Sequence, residues 1–309
     1  MRRYKVAAAQ YPIDRLPSLD AYEAKLADWV DRAASEGAKL LVFPEYGSIE
    51  LTALSGEAAA DLRLSIEALD RLIPEIDALH QTLARRHDVH ILAASAPIQG
   101  GDGLFRNVAR LFAPCGKVGR QEKIMMTRFE RDTWGIVAGG PIAVFRTTLG
   151  LIGVNICYDV EFPLIARAQA EAGAEVILAP SCTETRKGYW RVRNGAAARA
   201  VENQCYVVHA PTVGAAAWSP AVTDNHGAAA IYAPPDRGFP DDGVVEIGTF
   251  DKAAWVMGDL DLDKVAAVRA DGDVLNHRHW PEQGIVTAPL AEVVDLTPDA
   301  GMGRPMLAS

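Results

Sequence analysis

Short apolar runs alternate along the chain with segments whose hydrophobic positions recur every three or four residues. Residues 5–9 read as a first strand. Ser18 then caps a helix in which Leu19, Tyr22, Leu26, Trp29, Val30 and Ala33 share one face, and Gly37 stops it. The unbroken apolar run at 39–43 has the character of a strand buried on both faces. Helical patterns follow at 57–70 and 75–87, with Pro74 placed where a helix can begin. Strand character resumes at 89–95.

From residue 107 the strands come closer together. Residues 107–113 and 117–122 flank Pro114-Cys115-Gly116, and 142–147 and 151–156 flank a turn at Gly150, so two hairpins are expected. Alternation then returns: helix at 163–172, strand at 175–179, helix at 189–203, strand at 205–209. Later strands fit 228–232, 244–248 and 254–259, and 262–269 fits a short helix. No linker or repeat divides the chain, so the pattern predicts one α/β domain over 1–280, built of two packed halves. Residues 281–309, rich in Pro, Gly and Asp, read as an extended C-terminal arm packing on the same domain or a partner subunit.

Composition narrows the function. Hydrophobic residues make up 49% of 309, enough for a large core. Forty acidic against 31 basic side chains give a net charge of −9, which argues against a nucleic-acid partner. No run approaches the ~20 apolar residues of a membrane span, and the N-terminal apolar stretch is too short for a secretory signal. A cytoplasmic protein is the expectation. Four cysteines, at 115, 157, 182 and 205, form no Cys-x-x-Cys pair, so neither a disulfide framework nor a structural zinc site is expected. His277 and His279 read as a solvated loop rather than metal ligands.

Three polar residues fall where strands give out: Glu45 after Leu-Leu-Val-Phe-Pro, Lys123 after 117–122, and Cys157 after Ile-Gly-Val-Asn-Ile. Strand carboxyl ends are where α/β sheets bind ligands. A thiol attacks as its thiolate and needs a base or a cationic neighbour. Glu45 can take its proton, Lys123 can hold a developing oxyanion, and the Tyr158 N–H just after Cys157 is a natural second donor. A Cys–His hydrolase using His209 is the rival mechanism, but it leaves Glu45 and Lys123 unexplained.

Phe-Pro-Glu-Tyr at 43–46, Lys-Ile-Met-Met at 123–126 and Asn-Ile-Cys-Tyr-Asp at 155–159 resemble the three signature blocks of the nitrilase-type carbon–nitrogen hydrolases, in order and at their spacing. The resemblance implies an α/β fold, a four-layer αββα sandwich of two mixed sheets, that pairs as a homodimer or higher homo-oligomer. It also implies covalent catalysis without metal or cofactor, with Cys157 as nucleophile, Glu45 as base and Lys123 as oxyanion-stabilising cation. A second glutamate between Lys and Cys is matched by Glu130, with Asp132 and Glu122 as rivals.

Tyr158-Asp159 after the nucleophile resembles the amidase and carbamoylase branches, whereas nitrile hydrolases usually carry Trp-Glu there. The expected substrate is a small linear amide or ureido compound; a nitrile and a catalytically silent scaffold are the alternatives. Glu161 stands where carbamoylases commonly place arginine. It either disfavours an anionic substrate or simply opens the helix that follows. Arg186, Lys187, Arg191 and Arg193 remain candidates for a carboxylate clamp. Pocket lining is assigned to Tyr46, Phe129, Trp134, Tyr158, Glu161, Cys182, Thr183, Tyr189 and Trp218, with Cys182 as a small wall.

Overall fold

The computed structural model describes residues 2–284. Its strands are β1 (Arg3–Pro12), β2 (Ala38–Val42), β3 (His90–Gln99), β4 (Phe105–Phe112), β5 (Val118–Glu122), β6 (Val144–Thr147), β7 (Gly150–Val154), β8 (Val176–Ser181), β9 (Tyr206–Ala215), β10 (Asp224–Asn225), β11 (Ala230–Tyr232), β12 (Val244–Ile247) and β13 (Ala254–Asp261). The main helices are α1 (Leu19–Ser35), α2 (Leu62–His87), α3 (Pro163–Glu171), α4 (Arg186–Asn203) and α5 (Leu262–Asp271). A compact unit runs Met1–His277; beyond it, Trp280–Gln283 form one 3-10 turn. The arm expected from 281 lies, from 285 onward, outside the described residues.

The fold is α/β, with strands in the order β5-β4-β3-β2-β1-β9-β8-β7-β6. One set runs from β13 through β1, β2 and β3 to the antiparallel β4 and β5. The other joins β6 through β9 with β11 and β12. Between the sets, among the described residues, only the ends of β1 and β9 pair, Tyr11 with Thr212 and Pro12 with Val213. Side chains alternate across each strand. Val6, Ala8, Leu40 and Val42 therefore join a core with Ile177, Val208 and Ile231 of the second set. Ala7, Ala9 and Leu41 face the opposite way, into a core with Leu26 and Val30 of α1 and Ile66 and Leu69 of α2.

Both hairpins and α1 form where the pattern predicts them, and the Ser18 hydroxyl accepts the Ala21 N–H as its cap. The two helices expected at 57–70 and 75–87 are one. Gly47–Ala60 is 3-10 backbone interrupted at Gly56, and α2 starts later, where the Asp61 carboxylate accepts the Arg63 and Leu64 N–H groups. It then continues through Pro74. A proline inside a helix costs one helical hydrogen bond. Here the apolar stripe of Ile66, Leu69, Ile73, Ile76 and Leu83 buries enough surface on both sides of Pro74 to offset it.

Helix α4 braces the turn that carries Cys157. Arg199 Nη1 donates to the Val160 carbonyl at 3.0 Å, and a Cβ at Gly195 would stand 2.9 Å from the same oxygen. Gly195→Ala gains up to ~1 kcal/mol of helix propensity but must move backbone, at a cost of ~1–3 kcal/mol. The expected outcome is a lower thermal midpoint and, because Val160 lies in the Cys157–Glu161 turn, a kcat reduced several-fold. An unchanged midpoint together with an unchanged kcat would remove α4 from this role.

Candidate active site

The residues singled out at strand ends meet in one buried cluster. Glu45 follows β2 and is held in place by β3: the Ser95 N–H donates to the Pro44 carbonyl and the Ser95 hydroxyl accepts the Tyr46 N–H. Lys123 follows β5, with its N–H on the Asn107 carbonyl of β4 and its own carbonyl accepting the Gly139 N–H. Cys157 opens a 3-10 turn just past β7, where the Asn155 N–H still donates to Leu178 of β8. Tyr46 at φ 54° and Cys157 at φ 50° are both left-handed, a conformation side-chain-bearing residues rarely hold unless their surroundings impose it.

The Lys123 ammonium is shared. Its Nζ donates to Glu45 Oε1 at 2.7 Å and to Glu130 Oε1 and Oε2 at 2.8 and 2.7 Å, with all three side chains nearly inaccessible. Glu130 sits in a π-helical turn, Phe129–Trp134. Its carboxylate also accepts the Tyr46 hydroxyl at 2.7 Å and the Thr127 N–H and hydroxyl at 2.9 and 2.8 Å. The rivals are elsewhere. Asp132 is exposed and lies 3.7 Å from Arg128, and Glu122 accepts the Gly140 N–H.

Glu45 receives two further donors, Asn107 Nδ2 and the Cys182 N–H, each at 2.9 Å. The Cys157 thiol donates to the Cys182 carbonyl oxygen at 3.7 Å, within the electrostatic reach of the Glu45 carboxylate. Burial raises the Glu45 pKa to about 7, with Lys123 opposing the rise and Glu130 adding to it. Burial, reinforced by Glu45, pushes the Cys157 thiol well up. Burial alone would lower the Lys123 pKa, but its two carboxylates outweigh it and hold the ammonium charged. The resting arrangement is thus a neutral thiol beside a carboxylate whose proton affinity matches neutral pH.

Asp159, fully buried, accepts the N–H groups of Ile124, Met125 and Ile156. One carboxylate therefore fastens the segment carrying Lys123 to the turn carrying Cys157. Neither this role nor that of Asn107 was legible in the sequence, because backbone partners from distant segments leave no local pattern.

A cavity of about 200 Å³ opens onto the cluster, smaller than the ~300–1,000 Å³ usual for drug-sized ligands. Of the expected lining residues, Tyr46, Phe129, Trp134, Tyr158, Glu161, Cys182 and Thr183 are on its wall. Two are not. Tyr189 is buried and stacks on His209 at 5.9 Å, and Trp218 packs on the core beside α1 and α2. Both lie near strand ends in sequence, but tertiary packing takes their rings into neighbouring aromatic and aliphatic contacts instead. Thr127, Glu184 and Ala221 line the cavity without having been singled out. His209 is turned to Ser181 at 2.7 Å and burial depresses its pKa to about 3, which leaves it without the basicity a Cys–His pair needs.

Residues 5–291 match the sequence profile of the carbon–nitrogen hydrolases. The chain belongs to that family. Among curated relatives, this carbon–nitrogen hydrolase is 34% identical to a probable hydrolase of Bacillus subtilis over 87% of its own length, and it spans about half (52%) of that relative. It is 29% identical to a deaminated glutathione amidase of Synechocystis, covering 90% of this chain and 99% of that one. It is 27% identical to a bifunctional nitrilase/nitrile hydratase of Lupinus angustifolius, covering 91% and 84%. Solved structures share the fold: a carbon–nitrogen hydrolase from Helicobacter pylori gives a TM-score of 0.72 at 18% identity over 91% and 94% of the two chains. An amidase from Nesterenkonia solved with acrylamide gives 0.64 at 21% over 91% and 98%.

Proposed function

We propose that this hydrolase cleaves the carbon–nitrogen bond of a small linear amide or ureido compound through a Cys157 thioester. The observation that carries the reading is a single buried ammonium, Lys123, held between two carboxylates beside a thiol at a left-handed turn. Glu45 takes the thiol proton as Sγ attacks the carbonyl carbon. The electron pair moves to oxygen, which Lys123 and the Tyr158 N–H receive. All three Lys123 donors are engaged at rest, so the oxyanion draws one away from Glu130. Glu45 then protonates the leaving nitrogen, and the C–N bond breaks. Water attacks the thioester after losing a proton to Glu45, and that proton returns to Sγ as the acid departs.

In this proposal the layering is αββα, consistent with a core that draws on both strand sets while α1 and α2 cover the far face of the first. Homodimerisation belongs to the same reading and is supported by exposed Leu164 on α3 and Trp190 on α4. We also place the protein in the cytoplasm; among the described residues no helix is long and apolar enough to cross a membrane.

The test is ammonia release over a panel of aliphatic amides, ω-amides, N-carbamoyl compounds and nitriles, with mass spectrometry of substrate-derived acyl groups on Cys157. A preference for nitriles over every amide would replace the amidase reading. For an accepted amide, kcat/KM should rise with pH through about 7, because Glu45 must lose its proton to act as base. A profile flat from pH 5 to 8 would remove Glu45 from that role.

A further inference from the structure

The charges lining the cavity do not balance. At the buried end Lys123 is already committed to Glu45 and Glu130, so no positive charge is left over there. Toward solvent, Arg191 stands 3.5 Å from Glu161. Glu184, on the same wall, has no ion-pair partner among the described residues. Its side chain is exposed at the cavity mouth, where partial burial and the neighbouring Asp224 raise its pKa.

The bases nearest in sequence do not supply one. Arg186 lies over the Phe250 ring at 4.7 Å, Arg193 over Trp190 at 4.8 Å, and Lys187 is not on the cavity wall. The clamp for a substrate carboxylate for which Arg186, Lys187, Arg191 and Arg193 were candidates is therefore reduced to Arg191, which Glu161 already neutralises. A carboxylate entering this cavity meets net negative charge; a cation meets an unpaired acceptor.

We infer that the substrate is a linear amide or ureido compound bearing a primary ammonium at the end remote from the scissile bond, and that Glu184 receives it. This rests on the amidase reading and adds the substrate's charge class and a specificity residue to it. The site is the reaction cavity itself: the Cys157 thiol stands at its buried end, and Glu184 lies on the same wall toward solvent. Glu161 adds a second carboxylate there, which an approaching ammonium can share with Arg191.

The experiment uses three isosteric series, X–(CH2)n–CONH2 and their ureido counterparts X–(CH2)n–NHCONH2, with n of three to five and X an ammonium, a methyl or a carboxylate. Expected kcat/KM falls in that order, with the ammonium compound favoured over the carboxylate by roughly tenfold or more at the best length. In Glu184→Gln the ammonium-to-methyl ratio should collapse toward one, and Glu184→Lys should shift preference to the carboxylate. Glu184→Asp should keep the original order, which a merely structural role would not predict. Thermal midpoints identify any variant that fails to fold, and Glu184→Asp then carries the comparison. Preference for the carboxylate series, or an ammonium preference that survives Glu184→Gln and Glu184→Lys in folded protein, would overturn the inference and leave the amidase reading intact. Absence of both turnover and Cys157 acyl adduct across all three series would instead overturn the amidase reading, and the inference with it.

Discussion

Cys157→Ala should reduce kcat for any accepted amide by about 10⁴-fold or more, the scale seen when a covalent nucleophile is removed. The proposed chemistry has no second route. Cys182 lies on the same wall, but burial and Glu45 raise its pKa, and its thiol donates to Asn225 Oδ1 at 3.3 Å. Cys205 is buried and its thiol faces the Arg199 carbonyl oxygen. Cys115 is exposed in the turn between β4 and β5. The fold should survive the loss of one sulfur atom, because the turn is held by Asp159 and Arg199 rather than by the thiol. Steady-state ammonia release, read beside a urea unfolding curve, checks both halves of the expectation. The readout must be a substrate-derived adduct, since a general alkylating reagent also reaches Cys115. A variant retaining more than about a hundredth of wild-type kcat would make Cys157 a bystander.

Lys123→Met should damage both activity and stability. Among the described residues the ammonium is the only cation that the buried carboxylates of Glu45 and Glu130 contact, and truncating one partner of such a cluster costs ~3–5 kcal/mol. Loss of the oxyanion donor should lower kcat by a further ~10²–10³-fold in whatever protein folds. Without Lys123 the carboxylates repel each other and burial is unopposed, so their pKa values rise. A carboxylate with a raised folded-state pKa stabilises below its unfolded value, and that contribution is lost as pH climbs through the folded pKa. The stability gap between variant and wild type should therefore widen from pH 5 to pH 8 in urea titrations. Adding Glu130→Gln removes one buried charge and should restore part of the stability while activity stays lost. If the double variant regained activity along with stability, Lys123 would serve only to neutralise the cluster.

Much of this architecture could be read from residue patterns, because the signals are local. A polar side chain directly after an apolar strand marks a sheet's carboxyl end, and that is where Glu45, Lys123 and Cys157 are found. Ser18, the β4–β5 turn and the β6–β7 turn needed only nearest neighbours to be recognised. Pro74 misled for the same reason. As a local signal it begins a helix, but here it lies inside α2, and the apolar stripe that keeps α2 continuous draws its stability from β-strands distant in sequence.

By itself the sequence determined which chemistry was available: one thiol, one ammonium and one carboxylate, each placed at the end of a strand. Only the tertiary structure decided who touches whom. It chose Glu130 over Asp132, although two positions separate them, because a π-helical turn buries the first against Lys123 and leaves the second to solvent. It gave Asp159 and Asn107 their hold on segments remote in the chain. It also occupied Arg191 with Glu161 and, among the described residues, left Glu184 without a cation. Proximity across the chain is set by how the strand sets pack, and the charge that a substrate meets is the balance left after the protein's own ions have paired.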